Sequence, residues 1–247
     1  MVAKYYVMKK TFLSLVLIVS ALVFLGLFSR LGDNCRITQA QEKAPEKGEV
    51  MKEMTLPSAK TTGQMSLEEA IQKRKSVRKY SPKELTVEQV AQILWAANGA
   101  NPRTKNFIAR NVPSAGGVFP MTVYLLDKNG VYRYQPLNHS LALVKEGDKR
   151  KELTEAAFGQ GFIKQVPVNL VITADVAKCA QRYGERAQRY TDIEAGHIGQ
   201  NVSLQAVSLG LGTVMVGAFN DEAVKDVLAI PANESPLYII PVGYAVE

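Results

Sequence analysis

Cysteine and histidine are scarce in this chain, and their scarcity argues against several kinds of site. The 247 residues include two cysteines, Cys35 and Cys179, which lie far apart and have no second Cys or His at ligand spacing. We therefore expect neither a zinc site nor a disulfide framework. The two histidines, His139 and His197, belong to no recognisable Ser/His/Asp set. Any enzymatic chemistry would then have to come from a cofactor.

The chain also lacks a strongly basic domain, although its formal net charge is +7. Residues 1–65 hold 9 Lys/Arg and 5 Asp/Glu, whereas residues 66–247 hold 21 and 18 and are nearly balanced. Residues 66–247 therefore lack the large positive charge that binding to a nucleic-acid phosphate backbone requires, so we expect no nucleic-acid partner. With 47% hydrophobic and 21% charged residues, the composition is that of a globular protein rather than a disordered or polytopic membrane protein.

One long apolar run stands near the N-terminus. Thr11–Phe28 contains only apolar or small residues, and Lys9 and Lys10 precede it, as in a basic n-region followed by an h-region. The run is at the short edge of what spans a bilayer and longer than most cleavable signal cores. We interpret residues 1–40 as either a signal peptide or an N-terminal membrane anchor. Both interpretations predict export, with the membrane contacted only through this segment.

The remainder divides into a linker and one domain. Residues 41–65 are polar, contain two prolines and two glycines, and are predicted to be a linker. The domain is expected over residues 66–247, starting with a helix N-cap at Ser66. Periodicity predicts helices over 67–75, 86–99, 148–158 and 182–209, and strands over 121–127, 131–136, 168–174, 213–216 and 237–242. This pattern alone leaves α/β and α+β architectures both open.

A basic segment is the first candidate binding site. Five of the seven residues in Lys73–Lys79 are cationic. Arg74 and Arg78 are four residues apart, a spacing that would place both guanidinium groups on one helix face, able to grip a single phosphate. The same charges could instead be an ordinary basic helix end that complements the macrodipole.

Two further stretches are rich in small residues. Asn98–Gly117 shows no hydrophobic period and is predicted to be a long loop, whose end, Pro113–Gly117, would let backbone amides approach a ligand. The turn at Gly217-Ala218 could present N–H groups to a ligand or simply allow close packing. The long helix predicted over 182–209 is apolar or small nearly all round, which is typical of a fold centre or a subunit interface.

Six short motifs follow one another in the order found in the nitroreductase superfamily, which this chain resembles over roughly residues 66–247. The similarity is greatest to the branch that contains SagB-type dehydrogenases and azoline oxidases. The motifs are Arg74-Lys-Ser-Val-Arg78, Pro113-Ser-Ala-Gly-Gly117, Glu194-Ala-Gly-His-Ile-Gly-Gln-Asn201, Gly210-Leu-Gly212, Val216-Gly-Ala-Phe219 and Pro241-Val-Gly243.

The resemblance implies an α+β fold with a central, mostly antiparallel sheet flanked by helices, assembled as an intertwined homodimer with FMN at its interface. It implies three sets of cofactor-binding residues. The FMN phosphate and ribityl chain would be held by Arg74, Ser76 and Arg78, with Lys75 adjacent. The flavin would be reached from the partner subunit by Pro113, Ser114, Ala115, Gly116 and Gly117, and a backbone N–H of Val216, Gly217 or Ala218 would face flavin N5.

The implied activity is hydride transfer through flavin N5 between a reduced donor, NAD(P)H, and a small organic acceptor in ping-pong order. No catalytic side chain is assigned. Arg182 and Tyr183 stand where azoline-oxidising relatives carry a Lys-Tyr pair, and they are candidate pocket residues. Arginine cannot act as a base near neutral pH, which argues against azoline oxidation. Two alternatives stay open: a non-catalytic flavin-binding protein and a SagB-like dehydrogenase acting on a peptide-derived substrate.

Overall fold

Seven consecutive buried residues, VNLVITA, form a central strand over Val168–Ala174, as the sequence predicts. Its side chains alternate between two apolar clusters, since Leu170 and Ile172 belong to one and Val171 to the other. The computed structural model describes residues 53–104 and 107–246. All of these belong to one unit that spans Gly48–Glu247.

The described residues form seven helices and nine strands. The helices are α1 Leu67–Lys73, α2 Val87–Asn98, α3 Arg150–Ala156, α4 Phe162–Gln165, α5 Val176–Tyr183, α6 Ala187–Ser208 and α7 Asp221–Leu228. The strands are β1 Glu53–Thr55, β2 Ala100–Thr104, β3 Phe107–Arg110, β4 Met121–Leu126, β5 Gly130–Gln135, β6 Ser140–Glu146, β7 Val168–Ala174, β8 Gly212–Thr213 and β9 Ser235–Gly243. Short 3₁₀ turns lie at Ala115–Gly117 and Gly184–Arg186.

Seven strands make one sheet in the order β1-β6-β5-β4-β7-β9-β8, and all of its strand pairs are antiparallel. One sheet face packs against α2 and α6 through residues such as Ile93 and Ile198. The other face packs against α3, α4 and α7 through residues such as Leu153 and Val224. The expected α+β architecture with a central antiparallel sheet is thus confirmed.

Local capping signals explain where two of these helices begin. The Ser66 hydroxyl accepts a hydrogen bond from the Glu69 N–H at 3.1 Å, which places the start of α1 where the sequence predicts it. At the start of α2, Thr86 and Gln89 form a full capping box, each side chain bonded to the other's backbone N–H. Gly99 follows α2 directly, as predicted.

The long helix differs from its prediction. It begins at Ala187 rather than near Arg182, because Gly184 adopts a positive φ of 53° and separates α5 from α6. In the single chain α6 buries one side, which includes Ile198 and Val202, while the other side exposes polar residues such as His197. The helix is therefore not apolar all round within one protomer.

The stretch Asn98–Gly117 is not a loop throughout. β2 and β3 form a separate two-stranded hairpin, with Ala100 opposite Arg110. Their sequences, ANPRT and FIAR, are short, lack alternation and include a proline, so periodicity does not detect them. Two other strands were also missed: β6, and β1, which pairs with β6 from within the predicted linker.

The boundaries predicted at residues 40/41 and 65/66 stay predictions, although the strand β1 shows that ordered structure begins before Ser66. No helix within residues 53–104 or 107–246 is long and apolar enough to cross a membrane. The apolar run Thr11–Phe28 and Cys35 lie outside the described residues. Cys179 is buried and is not in a disulfide.

Candidate functional site

A short edge strand supports the candidate site. Gly212 and Thr213 pair with Gly243 and Val242 of β9. Val216 pairs with Ile239 in the same register, so the chain follows the edge of β9 from Gly212 to Val216. In an antiparallel ladder the backbone N–H and C=O groups of alternate residues point away from the partner strand. Since Val216 bonds to Ile239 in both directions at 2.9 Å, the backbone groups of Thr213 and Gly217 face the outer side.

The basic segment lies along that outer side. Ser76 forms a parallel bridge to Thr213, and the Val77 N–H donates to the Thr213 carbonyl at 3.0 Å. α1 ends at Lys73 and Arg74 already has extended-type backbone angles, so Arg74 and Arg78 do not share a helix face as predicted. The helix ends there because Val77 is drawn into a buried cluster with Tyr80 and Val166.

The three predicted phosphate contacts are nevertheless compatible with one another. Arg74, Ser76 and Arg78 are alternate residues of a non-helical segment, are all exposed, and flank the buried Val77. In extended backbone, alternate residues share one face. Arg74, Ser76 and Arg78 can therefore face one ligand beside β8, with a period of two in place of the predicted period of four.

Gly212 has a packing role. A Cβ atom there would lie 2.7 Å from Cγ2 of Val77, too close for any side chain. The Gly210-Leu-Gly212 motif thus lets the basic segment approach β8 closely. Of the two interpretations that the sequence leaves open for glycines in this region, close packing applies at Gly212.

Unlike Gly212, the turn after Val216 is exposed rather than tightly packed. The Val216 N–H is occupied by the Ile239 carbonyl, which leaves Gly217 and Ala218 as the candidates for a flavin contact. Both are exposed. Gln160 fixes the turn, because its side-chain amide donates to the carbonyl of Ala218 and to that of Ala157, each at 3.0 Å. A lone glutamine gives no sequence signal, and this residue was missed.

The segment Pro113–Gly117 packs against α5. The Arg182 guanidinium donates to the Gly116 carbonyl at 3.0 Å, and a Cβ on Gly116 would overlap the Tyr183 hydroxyl. Gly116 and Gly117 have φ values of 57° and 67°, which explains the glycine pair. The structure thus brings the predicted pocket residues Arg182 and Tyr183 together with this segment. Arg182 serves there as a hydrogen-bond donor to the backbone.

Two more hydrogen bonds hold the same segment. The Lys178 ammonium donates to the Phe119 carbonyl at 3.0 Å, and the Phe119 N–H donates to the Ser114 hydroxyl at 2.9 Å. Lys178 and Arg182, one turn apart on α5, therefore hold two points of the segment 114–119.

A buried acid beside this segment was missed as a site residue. Glu194 on α6 is 3% exposed. Burial raises the pKa of its carboxyl to about 7, against the opposing effects of the Ser114 hydroxyl and the Lys178 charge. The sequence shows Glu194 only as the first residue of a motif, since its burial depends on how α5 and α6 pack. Among the described residues there is no group of His, Cys, Asp and Glu that could hold a metal ion.

A model of the nitroreductase family matches residues 71–244. The chain belongs to the nitroreductase family. A protein of Methanocaldococcus jannaschii that is named as a nitroreductase is 40% identical over 190 residues, which cover 74% of this chain and 93% of that protein. An NADPH-flavin oxidoreductase of Vibrio harveyi is 27% identical over 113 residues, or 42% of this chain and 47% of the relative. A crystal structure of a nitroreductase-like protein from Ralstonia eutropha has a TM-score of 0.71 and 29% identity, covering 81% of this chain and 92% of the other.

As a member of this family, the chain is an FMN-dependent oxidoreductase. The residues present fit the cofactor. Exposed cations stand beside β8 for a phosphate, and the Thr213 hydroxyl next to Ser76 is buried without a hydrogen-bond partner among the described residues. The exposed turn at Gly217 carries no side chain that would keep a flat ring away.

Proposed function

We propose that this nitroreductase transfers a hydride from NAD(P)H to a small organic acceptor, with both substrates using one open site in turn. The observation that carries the proposal is the layout of the outer edge at β8. The basic segment adjoins Thr213. The turn that begins at Gly217 lies four residues further along the chain, so at most about 13–14 Å separates Thr213 from this turn. An elongated ligand with an anionic end and a flat ring suits such an edge.

The chain's own residues supply binding and orientation. Arg74 and Arg78, with Ser76 between them, would hold the phosphate end through charge-assisted hydrogen bonds. The outward-facing N–H of Gly217 would contact the ring edge, with Gln160 keeping the turn in place. Bound FMN supplies the redox chemistry, since its N5 can accept a hydride from one substrate and deliver it to the next.

The proposed enzyme is a homodimer of this chain. α1 packs against α6, and both helices expose apolar side chains. Leu67 and Ile71, one turn apart on α1, are 60% and 54% exposed, and Ile193 on α6 is 47% exposed. Apolar surface on two adjacent helices supports a homodimer. Pro113–Gly117 would then serve the flavin of the partner subunit.

The two alternatives differ in what they require of the site. A non-catalytic flavin-binding protein would keep the basic segment and the Gly217 turn but would not react with NAD(P)H. A peptide-directed dehydrogenase would need a base near Tyr183, and the adjacent Arg182 is committed to the Gly116 carbonyl. This contact favours a small acceptor over the peptide-derived substrate.

Purification of the full-length chain tests the proposal. We expect yellow protein that releases about one FMN per chain on denaturation, sediments as a dimer, and is bleached by NADH or NADPH under anaerobic conditions. Colourless protein that ignores added FMN would contradict the proposal. Yellow protein that neither nicotinamide bleaches would support the non-catalytic alternative.

A further inference from the structure

Phe158 is an exposed aromatic residue in the loop after α3. Its side chain is 69% exposed, the largest fraction among the large apolar side chains of the described residues. Two other aromatic residues of this region, Phe162 and Phe219, are partly buried and pack against the apolar cluster on the same sheet face. Exposure alone is common for single apolar residues, so the backbone and the neighbours of Phe158 decide its meaning.

The backbone of Phe158 is strained. Its φ is 55°, in the left-handed region that bulky residues rarely adopt. The Phe158 N–H donates to the Glu155 carbonyl at 3.1 Å, and the next N–H along the chain donates to the Thr154 carbonyl at 2.9 Å. These bonds end α3 as in a Schellman motif, whose left-handed position is usually glycine. A phenylalanine there costs stability, and its exposed ring offsets little of that cost through burial.

Two hydrogen bonds attach this loop to the proposed flavin turn. The Asn220 N–H donates to the Ala156 carbonyl at 2.9 Å, and the Gln160 side-chain amide donates to the Ala218 carbonyl at 3.0 Å. One bond precedes the exposed ring in the loop and the other follows it. The loop is therefore tied to the turn on both sides of its one aromatic side chain.

The position of Phe158 relative to the turn follows from the same amide. Gln160 also donates to the Ala157 carbonyl at 3.0 Å, so the carbonyl oxygens of Ala157 and Ala218 are no further apart than twice that distance. Phe158 follows Ala157 directly, and Gly217, whose N–H is the proposed flavin contact, directly precedes Ala218. Phe158 therefore borders the space that a flat ring beside Gly217 would occupy.

We propose that Phe158 forms one wall of the acceptor pocket and selects flat aromatic acceptors, such as quinones, by packing against their rings. The inference rests on the proposed function, which places the flavin ring at the turn. Aromatic rings attract one another in offset or edge-on packing by more than their buried area accounts for. Backbone strain persists where it serves a site. The strain at Phe158 has this explanation, because its ring becomes buried only when a second ring covers it.

Steady-state kinetics of the full-length protein with FMN and saturating NADPH test the inference with two acceptors. 1,4-Naphthoquinone is flat and aromatic, whereas ferricyanide is an inorganic ion that accepts electrons without stacking. Phe158→Gly should lower kcat/KM for 1,4-naphthoquinone, relative to that for ferricyanide, by roughly 10-fold and mainly through KM. Phe158→Tyr, which keeps the ring, should keep the wild-type ratio. A wild-type ratio in Phe158→Gly would overturn the inference.

A binding measurement gives the same answer without turnover. The oxidised protein with FMN does not reduce a quinone, so titration with 1,4-naphthoquinone in the absence of NADPH yields a Kd from the change in flavin absorbance. Phe158→Gly should raise this Kd by roughly 10-fold. An unchanged Kd would mean that the ring of Phe158 does not touch the acceptor.

Stability separates a binding role from a packing role. Glycine suits a left-handed backbone, so Phe158→Gly without FMN should unfold at the wild-type temperature or slightly above it. Ala229→Gly is the matched control, because Ala229 is exposed and has a φ of 52° at the end of α7 that lies away from the turn. Ala229→Gly should keep the wild-type kinetics. A marked fall in the unfolding temperature of Phe158→Gly, or an equal loss of naphthoquinone affinity in Ala229→Gly, would overturn the inference.

Failure of the proposed function gives a different result. Wild-type protein that binds no FMN, or that NADPH does not bleach, would contradict the proposed function before any acceptor is added. Sedimentation of Phe158→Gly completes the test, and we expect the same oligomeric state as in wild type. Dissociation of the variant would show that a partner subunit covers the ring, and would overturn the inference.

Discussion

At the scale of single residues, Glu194 should make the stability of the fold depend on pH. Burial raises its pKa from the ordinary 4.5 to about 7, so the folded protein keeps a proton that the unfolded chain releases. Below pH 4.5 both states are protonated. Between pH 4.5 and about 7 the free energy of unfolding falls as pH rises, and above that range the loss is complete. At ~1.4 kcal/mol per pKa unit, the loss is on the order of 3 kcal/mol.

Denaturant unfolding of the full-length protein at pH 5 and at pH 8 measures this loss. Other groups also titrate, so the informative quantity is the difference between wild type and Glu194→Gln. We expect the stability of wild type to drop by on the order of 3 kcal/mol more than that of the variant. Equal drops in the two proteins would show that Glu194 has an ordinary pKa in the fold.

Gly217 offers a second residue-scale prediction. Its φ lies outside the left-handed region, so its backbone does not require glycine. A Cβ there would meet only Cε1 of Tyr238, at 3.8 Å. Gly217→Val should therefore fold with nearly wild-type stability, yet its branched side chain would intrude where the flavin ring approaches the backbone. We expect weaker FMN binding or slower reduction by NADPH.

Gly63→Val serves as the control for Gly217→Val, because a Cβ at Gly63 meets nothing within 4 Å and Gly63 precedes α1, outside the segment Gly212–Ala218. Flavin occupancy and anaerobic reduction kinetics are compared in both variants. Wild-type values in Gly217→Val would mean that the flavin does not approach this turn.

At the scale of elements, the basic segment between α1 and Tyr80 should carry much of the affinity for the FMN phosphate. Arg74→Ala combined with Arg78→Ala removes two charge-assisted contacts of ~1.5–3 kcal/mol each, so the Kd for FMN should rise by roughly 100-fold or more. Both side chains are exposed, so stability should change little. Fluorescence titration with FMN measures the Kd.

The double variant Lys128→Ala/Lys151→Ala lowers the net charge equally. Its lysines form exposed ion pairs with Glu84 and Glu155, so it should bind FMN like wild type. If both double variants lose affinity to the same extent, the basic segment contributes only general electrostatic attraction.

The elements that the sequence predicted well are those whose signal is local. β7 is a mostly apolar run, and α2 carries a capping box at Thr86 and a glycine just beyond its end. What was mispredicted depends on tertiary contacts. The basic segment leaves the helical conformation because Val77 is buried beside Gly212, and α6 starts late because Gly184 turns with positive φ. The β2–β3 hairpin has no local pattern at all.

The candidate site also divides into parts with a local sequence signal and parts that depend on tertiary contacts. The family resemblance assigned a phosphate to Arg74–Arg78 and a flavin edge to the turn at Gly217, whereas the residues alone left both places open. Gln160, which holds the turn at Gly217, and Lys178, which holds the segment 114–119, were missed because their partners are backbone carbonyls distant in sequence. The burial of Glu194 was equally invisible, since it depends on how two helices and a turn meet.

At the scale of the whole molecule, the open question is where the flavin domain works. We propose export, because Lys9 and Lys10 precede the apolar run Thr11–Phe28. No twin-arginine pair precedes the run, so the domain should cross the membrane unfolded and bind FMN afterwards. Protease added to intact spheroplasts that express the full-length chain should therefore digest the domain, whether residues 1–40 are removed or retained.

A chain that lacks residues 1–40 is the matched control, because β1 and all later elements remain intact in it. It should resist the protease until the spheroplasts are lysed. Cleavage and anchoring differ in one further result: a removed signal leaves a shorter, soluble product, whereas a retained anchor keeps the full-length chain with the membrane fraction. Protection of the full-length chain until lysis would show that residues 11–28 do not export it, and the flavin domain would then meet its NAD(P)H inside the cell.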